Sequence, residues 1–160
     1  MNTPSTPVKS LALVTGSSSG IGRAIAIRLA QDGFHILVHY HQNQKGAEMT
    51  LSEIEKQGGS GQILQFDVKD SKAIEAALTP HPGIAVLVNN SGIHKDNLAG
   101  LMSDEAFESV METNVNGPFY LMRYCVRQMM RKRQGSIVNI ASLAGQTGNP
   151  GQINYAASKA

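Results

Sequence analysis

Two rhythms alternate along this chain. Short apolar runs are separated by longer stretches in which apolar residues recur at helical spacing. Leu11 to Gly16 (LALVTG) is an apolar run closed by glycine, the pattern of a strand buried on both faces. Ile21 to Gln31 (IGRAIAIRLAQ) predicts a helix, and Gly33 just beyond it predicts the stop. A strand at His35 to Tyr40 (HILVHY) follows, then a helix from Gly46 to Gln57 with Gly58 and Gly59 behind it, then a third strand at Ile63 to Val68 (ILQFDV). A short helix at Ser71 to Leu78 leads to a fourth strand at Ile84 to Asn90 (IAVLVNN). Ser103 to Met111 and Gly117 to Arg133 predict one long, interrupted helical region. Ser136 to Ser142 (SIVNIAS) predicts a fifth strand, and Asn154 onward a last helix. Strands alternating with helices imply right-handed crossovers, and hence an α/β fold with a parallel sheet covered on both faces.

Composition narrows the classes without choosing one. The 160 residues suffice for one domain with a real core, and 41% apolar with 16% charged residues excludes disorder. A net charge of +2 is too small to make nucleic acid a general partner. The apolar runs are too short to span a bilayer, and MNTPSTPVKS lacks the apolar segment of a secretory signal, so no membrane partner is expected. Residues 1–10 are expected to be a flexible tail, with Pro4 and Pro7 resisting regular structure, and residues 11–160 one domain. Cys125 is the only cysteine, which rules out an intrachain disulfide and favours a reducing, cytoplasmic compartment. It lies in an apolar helical stretch without histidine at ligand spacing, so packing is its expected role and no metal site is expected. YAASKA begins a helix and carries no terminal signal, and the chain is expected to be a fragment of a longer polypeptide.

The first candidate chemistry lies between the first strand and first helix, in TGSSSGIG (Thr15 to Gly22). Helix N-termini present unpaired N–H groups and a positive dipole end to a phosphate. Gly16 permits the tight turn, Gly20 lets a pyrophosphate approach the backbone, and Gly22 lets helix and strand pack closely. This context predicts a Rossmann-type, doubly wound dinucleotide-binding domain. Sites that prefer NAD place an acid at the end of the second strand. Here Tyr40 stands there, flanked by His39 and His41. Without a carboxylate to repel a 2′-phosphate, and with imidazoles able to donate to one, NADPH is the expected cofactor. Lys45 and Ser19 can assist, or can be solvated surface residues.

The second candidate lies near the other end. Tyr155 and Lys159 are spaced i, i+4 and so share one helix face, with Ser142 upstream. An ammonium held beside a phenol favours the phenolate, so the tyrosine can trade a proton near neutral pH. A serine hydroxyl brought to the same place can hold a carbonyl oxygen meanwhile. Taken alone, Ser142 reads as a strand-end hydroxyl capping the next turn, Tyr155 as a half-buried aromatic, and Asn114 as a helix cap.

Taken together, TGSSSGIG, the NNSG of Asn89 to Gly92, Asn114, Ser142 and the YAASK of Tyr155 to Lys159 resemble the short-chain dehydrogenase/reductase family, in its order and spacing, over Leu11 to Ala160. GNPGQINYAASKA is similar to the 3-oxoacyl-acyl-carrier-protein reductases within it, and DGFHILVHYH to reductases of aryl-polyene pathways. The resemblance implies Tyr155 as general acid, Lys159 as the cation that eases its proton transfer and binds the nicotinamide ribose, Ser142 as the group orienting the ketone, and Asn114 as the holder of a relay water. It implies that Asp67 and Val68 flank the adenine and that Asn89 and Gly92 line the ribose and nicotinamide side. The expected cofactor contacts are then Gly16, Ser18, Ser19, Gly20, Ile21 and Gly22 of the loop; Tyr40 and His41; Asp67 and Val68; Asn89, Ser91 and Gly92; and Tyr155 and Lys159.

The chain departs from the family pattern at Ser91, where alanine is usual, and at Ala85, where aspartate is common. Pro80 and Pro82 shorten the helix before the fourth strand, and the family's length runs beyond Ala160. Met129 to Arg133 (MMRKR) ends the long helix with three cations. They complement the helix C-terminus or dock an acidic acyl carrier protein, a role that the resemblance places on Arg133. Arg123, Arg127 and Arg131 form one basic stripe, while Tyr120, Met122, Cys125 and Met129 are expected to face another subunit of a homodimer or homotetramer. The function implied is NADPH-dependent reduction of 3-oxoacyl thioesters. The alternatives are a reductase of another small carbonyl, such as a sugar or steroid, and a non-catalytic nucleotide sensor.

Overall fold

The apolar runs form one parallel sheet in a computed structural model that describes residues 9–160. Residues 1–8, with Pro4 and Pro7, lie outside the described residues. The strands are β1 (Leu11–Val14), β2 (His35–Tyr40), β3 (Ser60–Gln65), β4 (Ile84–Asn89) and β5 (Ser136–Asn139), arranged in the order β3-β2-β1-β4-β5. Every neighbouring pair is parallel. Between them run α1 (Gly20–Gln31), α2 (Gln44–Lys56), α3 (Ser71–Leu78), α4 (Asp104–Met111) and α5 (Gly117–Lys132), followed by α6 (Ala144–Thr147) and α7 (Ile153–Lys159). The winding reverses between β1 and β4, the topological switch point at which such sheets open a crevice beyond their carboxyl ends. The doubly wound architecture expected from the sequence is the one observed.

Period-two alternation builds the two cores. Ala12, Val14, Ile36 and Val38 face Ala26, Ala30, Ala47 and Ile54 of α1 and α2. Leu13, Leu37 and Leu87 face Ile74 and Leu78 of α3 and Leu121, Cys125 and Met129 of α5. Ile84 shares that second face with Leu87, although the two are three residues apart. The register explains it: Leu11 pairs with Ile84 but Ala12 with Val86, so Ala85 is an extra residue in a bulge that resets the alternation.

Three expectations are corrected here. Cys125 and Met129 are buried in this chain's own core, so these two do not face another subunit, while Tyr120 and Met122 are half-buried against it. Burial also pushes the Cys125 thiol up to about 12, in keeping with a packing role. The third strand begins three residues earlier than its apolar run suggested and ends at Gln65. Gly61 explains the shift. A Cβ there would come 2.6 Å from the Ile36 carbonyl, so strand pairing demands glycine where the sequence looked like a loop. Phe66 and Val68 leave the strand but remain buried. The interrupted helical region is continuous instead: a π-helical turn, Glu112–Asn116, joins α4 to α5. The 3₁₀ turn Ala99–Leu101 and helix α6 were not anticipated.

Candidate active site

The loop between β1 and α1 turns on two residues in the left-handed region, Gly16 at φ +63° and Gly20 at φ +54°. Ser17 anchors it: its hydroxyl donates to the Val14 carbonyl (2.8 Å) and its N–H to the His39 carbonyl (3.0 Å). Arg23, which sequence reading passed over, supports the loop from behind. Its guanidinium donates to the Ser18 carbonyl (2.6 Å), the Gly46 carbonyl (3.2 Å) and Thr50 Oγ1 (3.0 Å). Gly22 packs so closely that a Cβ would lie 2.5 Å from the Gly16 carbonyl oxygen. Ser19 makes no side-chain cap to α1, and the first turn holds no acid, so the opening N–H groups remain free for an anion or solvent.

The loop is stitched to the end of β4. Thr15 Oγ1 accepts from the N–H groups of Asn90 (3.0 Å) and Ser91 (2.9 Å), while the Asn90 amide donates to the carbonyls of Thr15 (2.8 Å) and Gly16 (3.3 Å). Ser91 lies directly against Gly16: a Cβ on that glycine would meet Ser91 Oγ at 3.0 Å. Thr15 and Asn90 were not singled out from the sequence. Asn89, expected on the ribose and nicotinamide side, lines a smaller cavity with Ser91, Asn114 and Lys159 rather than the loop. Its amide donates to Asn139 Oδ1 across β4 and β5 (2.8 Å), and its own Oδ1 is buried without a partner. Asn90 stands at the cleft in its place.

These elements enclose a cleft of about 790 Å³. The loop from Gly16 through Ser18, Ser19, Gly20 and Ile21 to Gly22 forms one wall. Tyr40, His41, Asp67 and Val68 form the second, and Ser91 and Gly92 the far end. Tyr40 is nearly buried on the α1–α2 face. His41 is exposed, with Nε2 3.8 Å from Asp67 Oδ2, and Lys69 Nζ lies 3.9 Å from the same oxygen. His39 does not serve as an anion donor, contrary to expectation. It is buried, with Nδ1 accepting from the Gly16 N–H (3.0 Å) and Nε2–H donating to the Phe66 carbonyl (3.0 Å).

A second cluster closes the far end. Asn114 is buried in the π-helical turn, a distortion common at functional sites. It caps no helix. Its Oδ1 accepts from the Ile93 N–H, and its amide donates to the Ile93 carbonyl and to Ser158 Oγ, all at 2.9 Å. Ser158, also missed in the sequence, donates its hydroxyl hydrogen bond to the Tyr155 carbonyl (2.8 Å). Lys159 donates to the Ile140 carbonyl at the end of β5 (2.8 Å) rather than to the Tyr155 hydroxyl, and partial burial lowers its pKa from the ordinary lysine value. A Cβ on Gly92 would sit 3.3 Å from Asn114 Oδ1 and 3.7 Å from Lys159 Nζ, so β4, the π-helical turn and α7 converge there. The Tyr155 ring meets His94 edge-on at 6.3 Å. Ser142 follows β5, and its Oγ accepts from the Ala144 N–H (3.3 Å), the capping geometry open to it from the sequence.

A doubly wound sheet, a glycine turn at its switch point and a tyrosine–lysine helix beside it define the class: the chain belongs to the short chain dehydrogenase family, whose model matches residues 10–160. Membership implies a nicotinamide cofactor, NAD or NADP. The chain is 40% identical over 153 residues to the 3-oxoacyl-[acyl-carrier-protein] reductase FabG of Staphylococcus aureus and 43% identical over 154 residues to that of Haemophilus influenzae. It is 39% identical over 154 residues to the 3-oxoacyl-[acyl-carrier-protein] reductase of a Synechocystis species. These alignments cover 93–94% of this chain and 62% of each relative's length. The cleft fits a dinucleotide: side chains are excluded at Gly22, the α1 donors are uncapped, and one trough joins the loop to Gly92.

Proposed function

We propose that the protein is an NADPH-dependent reductase of 3-oxoacyl thioesters borne on an acyl carrier protein, working in the cytoplasm on fatty acid or polyene-type chains. The convergence of Gly92, Asn114 and Lys159 on one point, with Tyr155 one turn earlier on the helix of Lys159, carries this reading. The names of the relatives give the substrate class.

In this reading Gly16, Ser18, Ser19, Gly20, Ile21 and Gly22 hold the pyrophosphate through backbone N–H groups and the positive end of α1. Asp67 and Val68 flank the adenine, while Ser91 and Gly92 line the ribose and nicotinamide side. NADPH is favoured over NADH because β2 ends in Tyr40, followed by His41, so the strand end itself bears no carboxylate to repel a 2′-phosphate, and the nearby Asp67 is faced by His41 and Lys69. When bound, the reduced nicotinamide supplies a hydride to the 3-oxo carbon. Tyr155 gives its hydroxyl proton to the carbonyl oxygen, leaving a 3-hydroxyacyl thioester. Ser142 orients that oxygen. Lys159 holds positive charge near the transfer, and Asn114 fixes the Ile93 segment and holds the water that returns protons toward Lys159. Proton transfer from a placed acid contributes typically ~10²–10⁴-fold.

Arg133 supports the carrier protein as partner. Among the described residues it is the one non-glycine residue with positive φ, at +50°, exposed at the end of α5 beside Arg131 and Lys132. Exposed Phe119 and Met130 on α5 and Ile153 on α7 suit assembly into a homodimer or homotetramer.

Tyr155→Phe tests the chemistry. Oxidation of NADPH by acetoacetyl thioesters should fall by at least about 10²-fold, while NADPH affinity stays within a few-fold of wild type. A variant that turns over at the wild-type rate removes Tyr155 as the acid. Wild-type activity on free sugars or steroids but not on acyl thioesters removes the substrate assignment.

A further inference from the structure

His39 stands where the phosphate loop, β2 and the segment after β3 meet. Its side chain is 1% exposed, and its ring lies against Phe66 with centroids 4.0 Å apart. A backbone N–H only donates and a carbonyl only accepts. The Gly16 N–H on Nδ1 and the Phe66 carbonyl on Nε2 therefore select one state, the neutral imidazole protonated at Nε2. The backbone doubles the attachment: the His39 N–H donates to Ser17 Oγ (3.0 Å) and the His39 carbonyl accepts from the Ser17 N–H (3.0 Å). One side chain thus ties the Gly16 turn to Phe66, which leads directly into Asp67 and Val68 on the opposite wall of the cleft.

We propose that His39 is a positioning residue for the dinucleotide: its Nδ1 acceptor and Nε2–H donor hold the Gly16 turn at a fixed distance from the Asp67–Val68 wall, and cofactor affinity depends on that tie. The inference rests on reading the cleft as a dinucleotide site and goes beyond it, because both ring nitrogens of His39 are engaged by the backbone of the cleft walls and are not free to bind a ligand. Gly16 carries the left-handed turn, so its N–H is the loop group whose direction matters most. Without an acceptor this donor must reorient, and the turn moves with it.

Three substitutions separate this role from simple space filling. Asparagine places an oxygen where Nδ1 stands and keeps the acceptor for Gly16. Glutamine places an N–H near Nε2 and keeps only the donor to Phe66. Phenylalanine keeps the bulk alone. In the full polypeptide, NADPH titration should give His39→Asn a Kd within about threefold of wild type, and His39→Gln and His39→Phe a Kd at least about tenfold weaker. Melting temperature, measured in parallel, should rank the three differently from affinity. A His39→Phe variant that binds as wild type does, or affinities that simply follow melting temperature, would overturn the proposal. If wild type binds neither NADPH nor NADH, the dinucleotide reading itself fails and the proposal with it, an outcome seen without any variant. Nitrogen NMR of the wild-type protein serves if the variants do not fold. His39 should show an unprotonated Nδ1 coupled through its hydrogen bond to the Gly16 amide, and an Nδ1–H tautomer would sink the idea.

Discussion

His39 also sets a pH dependence of its own. Burial holds its pKa down at about 4, against 6.5 for a free imidazole; the Phe66 carbonyl and Asp67 work the other way, while neighbouring His41 adds to the lowering. The fold therefore favours the neutral ring. The associated stability is fully present above about pH 6.5, is lost as pH falls from there to about 4, and changes no further below. A shift of this size corresponds to about 3 kcal/mol. Urea unfolding of wild type and His39→Asn between pH 7 and pH 4 should show that loss only in wild type. Parallel curves for the two proteins would contradict it. Side-chain alternation along β2 could have placed His39 on the interior face with Leu37. Its position near the strand end obscured this, because exposed donors for a phosphate are sought there. Tyr155 and Lys159 were legible because their spacing on one helix is a local matter. The Ile140 carbonyl that receives the Lys159 ammonium comes from another element.

The three helices that follow α1 differ from it in how they start. α2, α3 and α4 are capped by side chains: Asn43 accepts from the Gly46 N–H, Asp70 from those of Lys72 and Ala73, and Ser103 from that of Ala106. α1 is not, and its first turn packs through Gly22 on the Gly16 carbonyl. Because the Gly16 backbone stands in the way alongside the Asn90 amide, Gly22→Ala cannot be relieved by a rotamer change alone. It should cost about 1–3 kcal/mol of stability by overpacking and weaken NADPH binding, as denaturant unfolding and titration would show. An alanine variant with wild-type stability would mean that the loop gives more readily than its bonds to Asn90 and His39 imply. The third strand shows why boundaries were harder to read than elements. Glycine at position 61 looks like a turn until Ile36 of β2 is placed beside it.

At the scale of the whole molecule, α5 turns one face to the core and another to solvent. Arg133 sits where the helix ends in the left-handed region, a position that glycine occupies with less strain. Arg133→Gly should therefore leave melting temperature unchanged or raise it, yet raise KM for a carrier-bound substrate more than for a short thioester. Equal effects on both substrates would remove the docking role. Hydrogen exchange should follow the sheet order: amides of Leu13 and Val14 in β1, paired on both sides, should exchange far more slowly than those of Ile63 and Leu64 in the outer strand β3. Similar rates would contradict that order.

The sequence alone determined the five strands and the principal helices between them, the parallel doubly wound sheet and the glycine turn at its switch point. These follow from local periodicity, from glycine's freedom at positive φ and from the handedness of crossovers, none of which needs a distant partner. Only the tertiary structure decided that Asn90 rather than Asn89 meets the loop, that Asn114 grips Ile93 and Ser158, and that His39 joins two walls of one cleft. Those outcomes depend on which donors and acceptors from remote segments are brought within 3 Å of each other, and no pattern along a single chain carries that information.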